Sequence, residues 1–195
     1  MPVGSTPSEK QLQNLALAAF EEACDRLSER RHSVETAYAP AAEALFWTSV
    51  CDEGYEAMLG ETVYRNSRDA DTDGSVVLGV RWARDRMTHQ RALVVEKNYG
   101  SELGSMVVGR AVLGTVDHMK WALAGDIPPG RSKAGQEIYK EKLQGRAVSE
   151  TIEACRRWFN SETLSRLSKT GTFVPAECVV VHNVPIIGRS FRWPD

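Results

Sequence analysis

A mainly α fold with a small β element inserted before its last helices is predicted by two observations. Apolar residues recur at helical spacing in three separate stretches, residues 12–27, 76–87 and 148–159. Between the second and third, residues 91–116 carry short β-prone runs broken by glycines. The chain has 195 residues, 42% of them hydrophobic and 26% charged, which suits one globular domain over 1–195. Its helical part is expected at about 6–90 and 132–168, the β-prone insertion at about 91–127, and an extended tail at 172–195. A formal net charge of -2 supplies no global field toward nucleic acid, so any anion-binding surface must be local.

Thr6-Pro7-Ser8-Glu9 opens the first helix as a capping box, with Thr6 as N-cap and Glu9 reaching back. Leu12, Leu15, Ala16, Ala19, Phe20, Ala23 and Leu27 form its apolar set. A second helix enters near Ser33 or at Pro40, which either starts or kinks it. Its core candidates are Ala41, Ala44, Leu45, Thr48, Cys51, Tyr55 and Met58, flanked by Trp47. Residues 66–74 are polar and acidic and read as a loop, with Asp73 capping the third helix. That helix has a core stripe of Val76, Val80, Ala83 and Met87, which fall within about 40° on the helical wheel. Leu78, Trp82, Asp85 and His89 gather on the opposite side, where apolar and titratable residues mix. After Pro128-Pro129-Gly130 helical spacing returns from about Ser132, and Val148, Ile152, Cys155 and Phe159 make the last stripe. The run Cys178-Val179-Val180-Val181 reads as a further strand.

The hexapeptide Arg84-Asp85-Arg86-Met87-Thr88-His89 carries the candidate chemistry. Arginine is permanently cationic and can clamp a phosphate with two parallel hydrogen bonds. Histidine alone has an unperturbed pKa that lets it accept and donate protons near neutrality. RNA cleavage needs a base for the 2'-hydroxyl proton, an acid for the leaving oxygen and a cation on the phosphate. His89 fits the base or acid and Arg84 the clamp. Asp85, four residues before His89, fits a group that orients the imidazole. Arg81, Arg86 and Arg91 extend a local cationic strip of the right sign for RNA, although such a run also describes a solvated face. An ordinary helix surface with an i,i+4 pair is the plain alternative for Arg84, Asp85 and His89.

Arg84, a polar residue directly after it, and His89 match the R-x(4–6)-H pattern, and the chain in this respect resembles the HEPN superfamily. The resemblance covers 84–89 in motif and about 8–160 in layout. It implies a four- or five-helix bundle, usually dimeric, and for many members a metal-independent endoribonuclease acting as a toxin or in antiviral defence. RNA, a second copy of the chain and an antitoxin protein are the partners it implies. In one branch the motif continues to a tyrosine two residues after the histidine. Arg91 stands there in this chain, so modification at such a tyrosine is not expected.

Residues five apart on a straight helix are separated by about 140°, so Arg84 and His89 do not share a face. A dimer with two motif helices facing each other answers this, with Leu78 and Trp82 as its seam. Trp82 taken alone reads first as a packing residue. The competing class is a non-catalytic interaction module of the same fold, using that face to bind a protein; a ligand-binding helical domain without chemistry is a third.

Other signals point away from rival chemistries. Asp69, Asp71, Asp73 and Gly74 imitate the first half of a calcium loop, but Val80 stands where a bidentate glutamate is needed. His32, His118 and His182 have no metal-ligand spacing, and no phosphate-binding loop or nucleophile-elbow motif occurs. No metal or cofactor is expected. Cys24, Cys51, Cys155 and Cys178 form no C-x-x-C pair, and the first three fit small buried hydrophobes. Neither a signal peptide nor a run of about 18 apolar residues is present, so a reduced cytoplasmic setting is expected.

Overall fold

Ser8 caps the first helix. In the computed structural model, which describes residues 8–30, 34–90, 95–97 and 119–170, its Oγ accepts from the Gln11 N–H at 3.3 Å, and Gln11 Oε1 accepts from the Ser8 N–H at 2.7 Å. This reciprocal box sits two residues later than the expected pairing of Thr6 with Glu9; Thr6 lies outside the described residues. The helix, α1 (Glu9–Arg30), buries Ala16, Phe20, Ala23 and Leu27 as its spacing predicts. Leu12 and Leu15 do not join them and stay 51% and 65% exposed. Gln13 takes the buried place instead and donates to the Cys51 carbonyl at 3.1 Å.

The second helix, α2 (Val34–Leu59), runs antiparallel to α1, since Gln13 meets Cys51 at one end and Arg26 pairs with Glu43 at the other. Pro40 neither starts nor ends it but lies buried in its second turn. Ala41, Ala44, Leu45, Thr48, Cys51 and Tyr55 are buried as expected, and Met58 is half-buried. At Gly54 the two helices meet closely. A Cβ there would fall 1.8 Å from Gln13 Oε1, so only glycine leaves room for the amide.

Residues 66–74 are not one loop. A third helix, α3 (Glu61–Ala70), occupies most of that stretch, because Tyr64 and Arg68, one turn apart, both turn inward and are buried. The remaining turn is held by Asp71, whose Oδ1 accepts from the Asp73 and Gly74 N–H groups at 2.8 Å each. The capping role expected of Asp73 therefore belongs to Asp71. Asp73 instead makes two 2.8 Å bonds to Arg157. A short 3-10 turn (Gly74–Val76) leads into α4 (Val77–Gln90), so the motif helix is the fourth, not the third.

The inserted β element consists, among the described residues, of β1 (Val95–Lys97) paired antiparallel with β2 (Met119–Trp121). The β-prone runs at 106–108 and 111–116, and the tail at 172–195, lie outside the described residues. Trp121 is fully buried: its indole donates to Thr151 and its ring meets Tyr139 edge-on, tying the insertion to the bundle. The chain then forms α5 (Lys133–Ile138), a π-helical turn (Tyr139–Leu143), α6 (Val148–Phe159) and α7 (Glu162–Thr170).

The core is aromatic at its centre. Tyr55 stacks on Tyr64 and on Phe159 at 6.0 Å each, while Phe20 meets Phe159 edge-on at 5.4 Å. Val148, Ile152, Cys155 and Phe159 all face this core, matching the predicted stripe of α6. The fold is mainly α, and no described helix is long and apolar enough to cross a membrane.

Candidate functional site

The motif falls on the last two turns of α4, and its side chains diverge. Arg84 reaches toward α2, where its Nε donates to Ser49 Oγ at 3.1 Å and its Nη2 lies 3.9 Å from Glu53. Its Nη1 pairs with Asp85 at 3.1 Å. Asp85 is thus engaged, among the described residues, by its neighbour Arg84. Thr88 donates to the Arg84 carbonyl at 2.9 Å, the i−4 bond a helical threonine often makes. His89 is exposed, one residue from the end of the helix.

The cationic strip is rearranged by folding. Arg81 donates to Asp52 at 2.6 Å and to Glu53 at 3.1 Å. Arg86, expected to face RNA, is instead buried at 8% exposure. Its Nη1 donates to the Pro129 carbonyl and its guanidinium lies over the Trp82 ring, 5.9 Å from the centroid. Arg91 lies outside the described residues, as do His32, His118 and His182.

Trp82 requires a correction as well. The wheel places it opposite the core stripe, on an open seam beside Leu78, yet it is 2% exposed. The chain after the β insertion returns over this face, so that the Trp82 ring packs 4.7 Å from Tyr139 and beneath Gly130. Helical periodicity locates a face but not what later covers it. Leu78 is half-buried and lines a cavity of about 380 Å³ between α3, α4 and the start of α5, with Arg65, Arg81 and Asp85 also on its walls.

Beneath the motif lies a network that the motif search missed. Asp52 on α2 has no exposed surface, and it accepts from Tyr64 at 2.6 Å, from Arg68 at 3.1 and 3.2 Å, and from Arg81 at 2.6 Å. Arg68 is itself buried and uses its Nε on Asp69 at 2.9 Å. Burial opposes the charge on Arg68, but the Asp52 and Asp69 carboxylates outweigh it and push its pKa up. Burial, helped by Asp52, raises the Tyr64 phenol, which therefore stays a donor. The signal was present: Asp52 falls between Thr48 and Tyr55 inside the core stripe of α2, and a carboxylate there demands partners.

The acids of the imitation calcium loop have other occupations. Asp69 serves Arg68, Asp71 caps a turn and Asp73 holds Arg157. Among the described residues no group of three or more histidines, cysteines or acids is placed to hold a metal. Burial pushes the Cys24 and Cys51 thiols up to about 12 and the Cys155 thiol well above its ordinary value. These three are inert core groups rather than nucleophiles.

Comparison with protein-family models, with curated proteins and with solved structures gave no match.

Proposed function

We propose that this chain is a HEPN-like helical protein that cleaves RNA without a metal, as a toxin or defence component. The observation that carries the reading is the anchoring of Arg84. Its Nε is fixed by Ser49 from a neighbouring helix while 22% of the side chain stays open, with His89 exposed little more than a turn along the same helix. A fixed but accessible guanidinium and an open imidazole are the two groups the chemistry needs.

In this mechanism the RNA 2'-oxygen attacks phosphorus while His89 takes its proton. Arg84 holds the phosphate oxygens as charge builds, and Asp85 holds the Arg84 fork. The P–O5' bond then breaks and the leaving oxygen takes a proton from the imidazole of a second copy. The homodimer supplies what one helix cannot, because Arg84 and His89 are about 140° apart. Its seam would run along Asp85, Thr88 and His89, with Leu78 at its edge. The reading is tested by incubating RNA with wild type and His89→Ala in chelator, and by expressing both in growing cells. A wild type that neither cuts RNA nor slows growth ends it.

A non-catalytic interaction module is the second reading. Leu12 and Leu15 favour it, because they lie one turn apart on α1 and stay 51% and 65% exposed.

A further inference from the structure

We propose that the cavity between α3, α4 and the start of α5 binds a small organic phosphate with an apolar body. This inference does not rest on RNA cleavage. Its basis is the way Arg68 and Arg81 share one buried carboxylate. Both guanidinium groups direct Nη1 at Asp52, so one fully buried carboxylate is shared between the buried Arg68 and the partly open Arg81. The other acids that touch them, Glu53 and Asp69, are 57% and 56% exposed and face water, which screens them.

Arg81 is thereby preorganised. Asp52 pins one end of its fork, while the other end rests on Glu53 through an exposed pair of the kind worth about 0–1 kcal/mol. A phosphate displaces so weak a partner readily, and the planar fork suits it. Arg65 stands at the rim, held among the described residues by the half-buried Glu56 and the exposed Glu61. Arg65 and Arg81, 45% and 27% exposed, are the cations a ligand can reach here and suit a single phosphate group. Arg68 behind them is buried and spent on Asp52 and Asp69. Leu78, Ala134 and Trp82 supply an apolar wall beside them. The volume of about 380 Å³ is that of a small-molecule site. Asp69 and Asp85 on the same walls are paired with Arg68 and Arg84, and their charge disfavours a longer polyanion.

Calorimetry on the full chain with phenyl phosphate, inorganic phosphate and phenol tests this. Phenyl phosphate is expected to bind one to one, roughly tenfold or more tighter than either fragment. Arg81→Gln should weaken it by roughly tenfold. Because Arg81 also serves Asp52, Arg65→Ala at the rim and Leu78→Trp, which fills the cavity, provide variants that leave the buried network alone. Each should weaken phenyl phosphate several-fold. His89→Ala should bind unchanged, so failure of the RNA reading leaves this result intact. Absence of saturable binding overturns the proposal, as does binding that survives both Arg65→Ala and Leu78→Trp. Equal affinity for inorganic phosphate overturns the apolar part of the site.

Discussion

Asp52 and Arg68 form an ion pair at 3.1 Å in which neither side chain is more than 3% exposed. Removing two charges from water is costly, and this pair persists because Asp52 also accepts from Tyr64 and Arg81 while Arg68 also serves Asp69. The pair joins α2 to α3, and Arg81 extends it to α4.

Breaking that pair from one side leaves a buried guanidinium with too little compensation. Asp52→Asn should lower the free energy of unfolding by about 3–5 kcal/mol, read from denaturant melts. Replacing both partners with apolar residues, Asp52→Leu with Arg68→Met, should recover a large part of the loss, since an isolated buried charge costs more than none. A loss under about 1 kcal/mol in the single variant contradicts this account.

Gly130 should be sensitive for a steric reason. A Cβ there would fall 2.7 Å from Arg86 Cζ and 2.8 Å from Trp82 Nε1, both of them packed groups. Gly130→Ala should cost about 1–3 kcal/mol, because the Arg86–Trp82 stack must shift. Gly125 has open space where its Cβ would go, so Gly125→Ala should change stability by about 0.5 kcal/mol or less. Equal melting of the two variants would show that the turn over Trp82 is not tightly packed.

The three core thiols should be silent in the native protein. Cys24 and Cys51 are buried with thiols pushed up to about 12, and burial also raises Cys155 well above its ordinary value. At neutral pH their thiolate fraction is negligible, and burial slows the approach of reagent to each. Alkylation read by mass spectrometry should modify them only after denaturant is added. Rapid native labelling of Cys51, which lies in the middle of α2, would show that the α1–α2 interface opens.

Asp73 supplies a pH signature. Its two hydrogen bonds from Arg157 hold its carboxyl below the ordinary value of 3.8. The folded pKa is depressed, so the stabilisation is fully present above the unfolded pKa and fades as pH falls through the folded one. Asp73→Asn should therefore be less stable than wild type at neutral pH by roughly 0.5–1 kcal/mol, a value suited to a partly exposed pair. The two proteins should converge in acid below pH 3.8. A difference that persists unchanged there points to a cause other than charge.

How much of this was legible in the sequence depends on what each signal measures. The stripes at Val76, Val80 and Ala83 and at Val148, Ile152, Cys155 and Phe159 reported burial faithfully, because periodicity records which face meets a core. The same arithmetic misplaced Leu12, Leu15 and Trp82, since the cover over a face is set by chain distant in sequence. The helix α3 was hidden because its inward residues are Tyr64 and Arg68 rather than an apolar run. Composition counts Arg68 as surface, and only the partner Asp52, sixteen residues earlier, makes its burial affordable. The spacing of the motif placed Arg84 and His89 correctly on one helix. It gave no hint that Asp85 would turn to Arg84 or that Ser49 would anchor the arginine.

Those last two contacts set what each variant of the motif should do. His89 is exposed and carries no structural burden within the core, so His89→Ala should leave the thermal melt unchanged while RNA cleavage in chelator falls by roughly 10²–10⁴-fold. Arg84→Ala removes the cation and should fall by roughly 10²–10³-fold. Ser49→Ala keeps the guanidinium but releases its Nε anchor, so it should reduce kcat by a smaller factor than Arg84→Ala does. If the site is completed by a second copy, activity per chain should drop on dilution as dimers dissociate. Cleavage by Arg84→Ala at the wild-type rate removes the clamp from the mechanism, and activity independent of concentration across the monomer–dimer range removes the second copy.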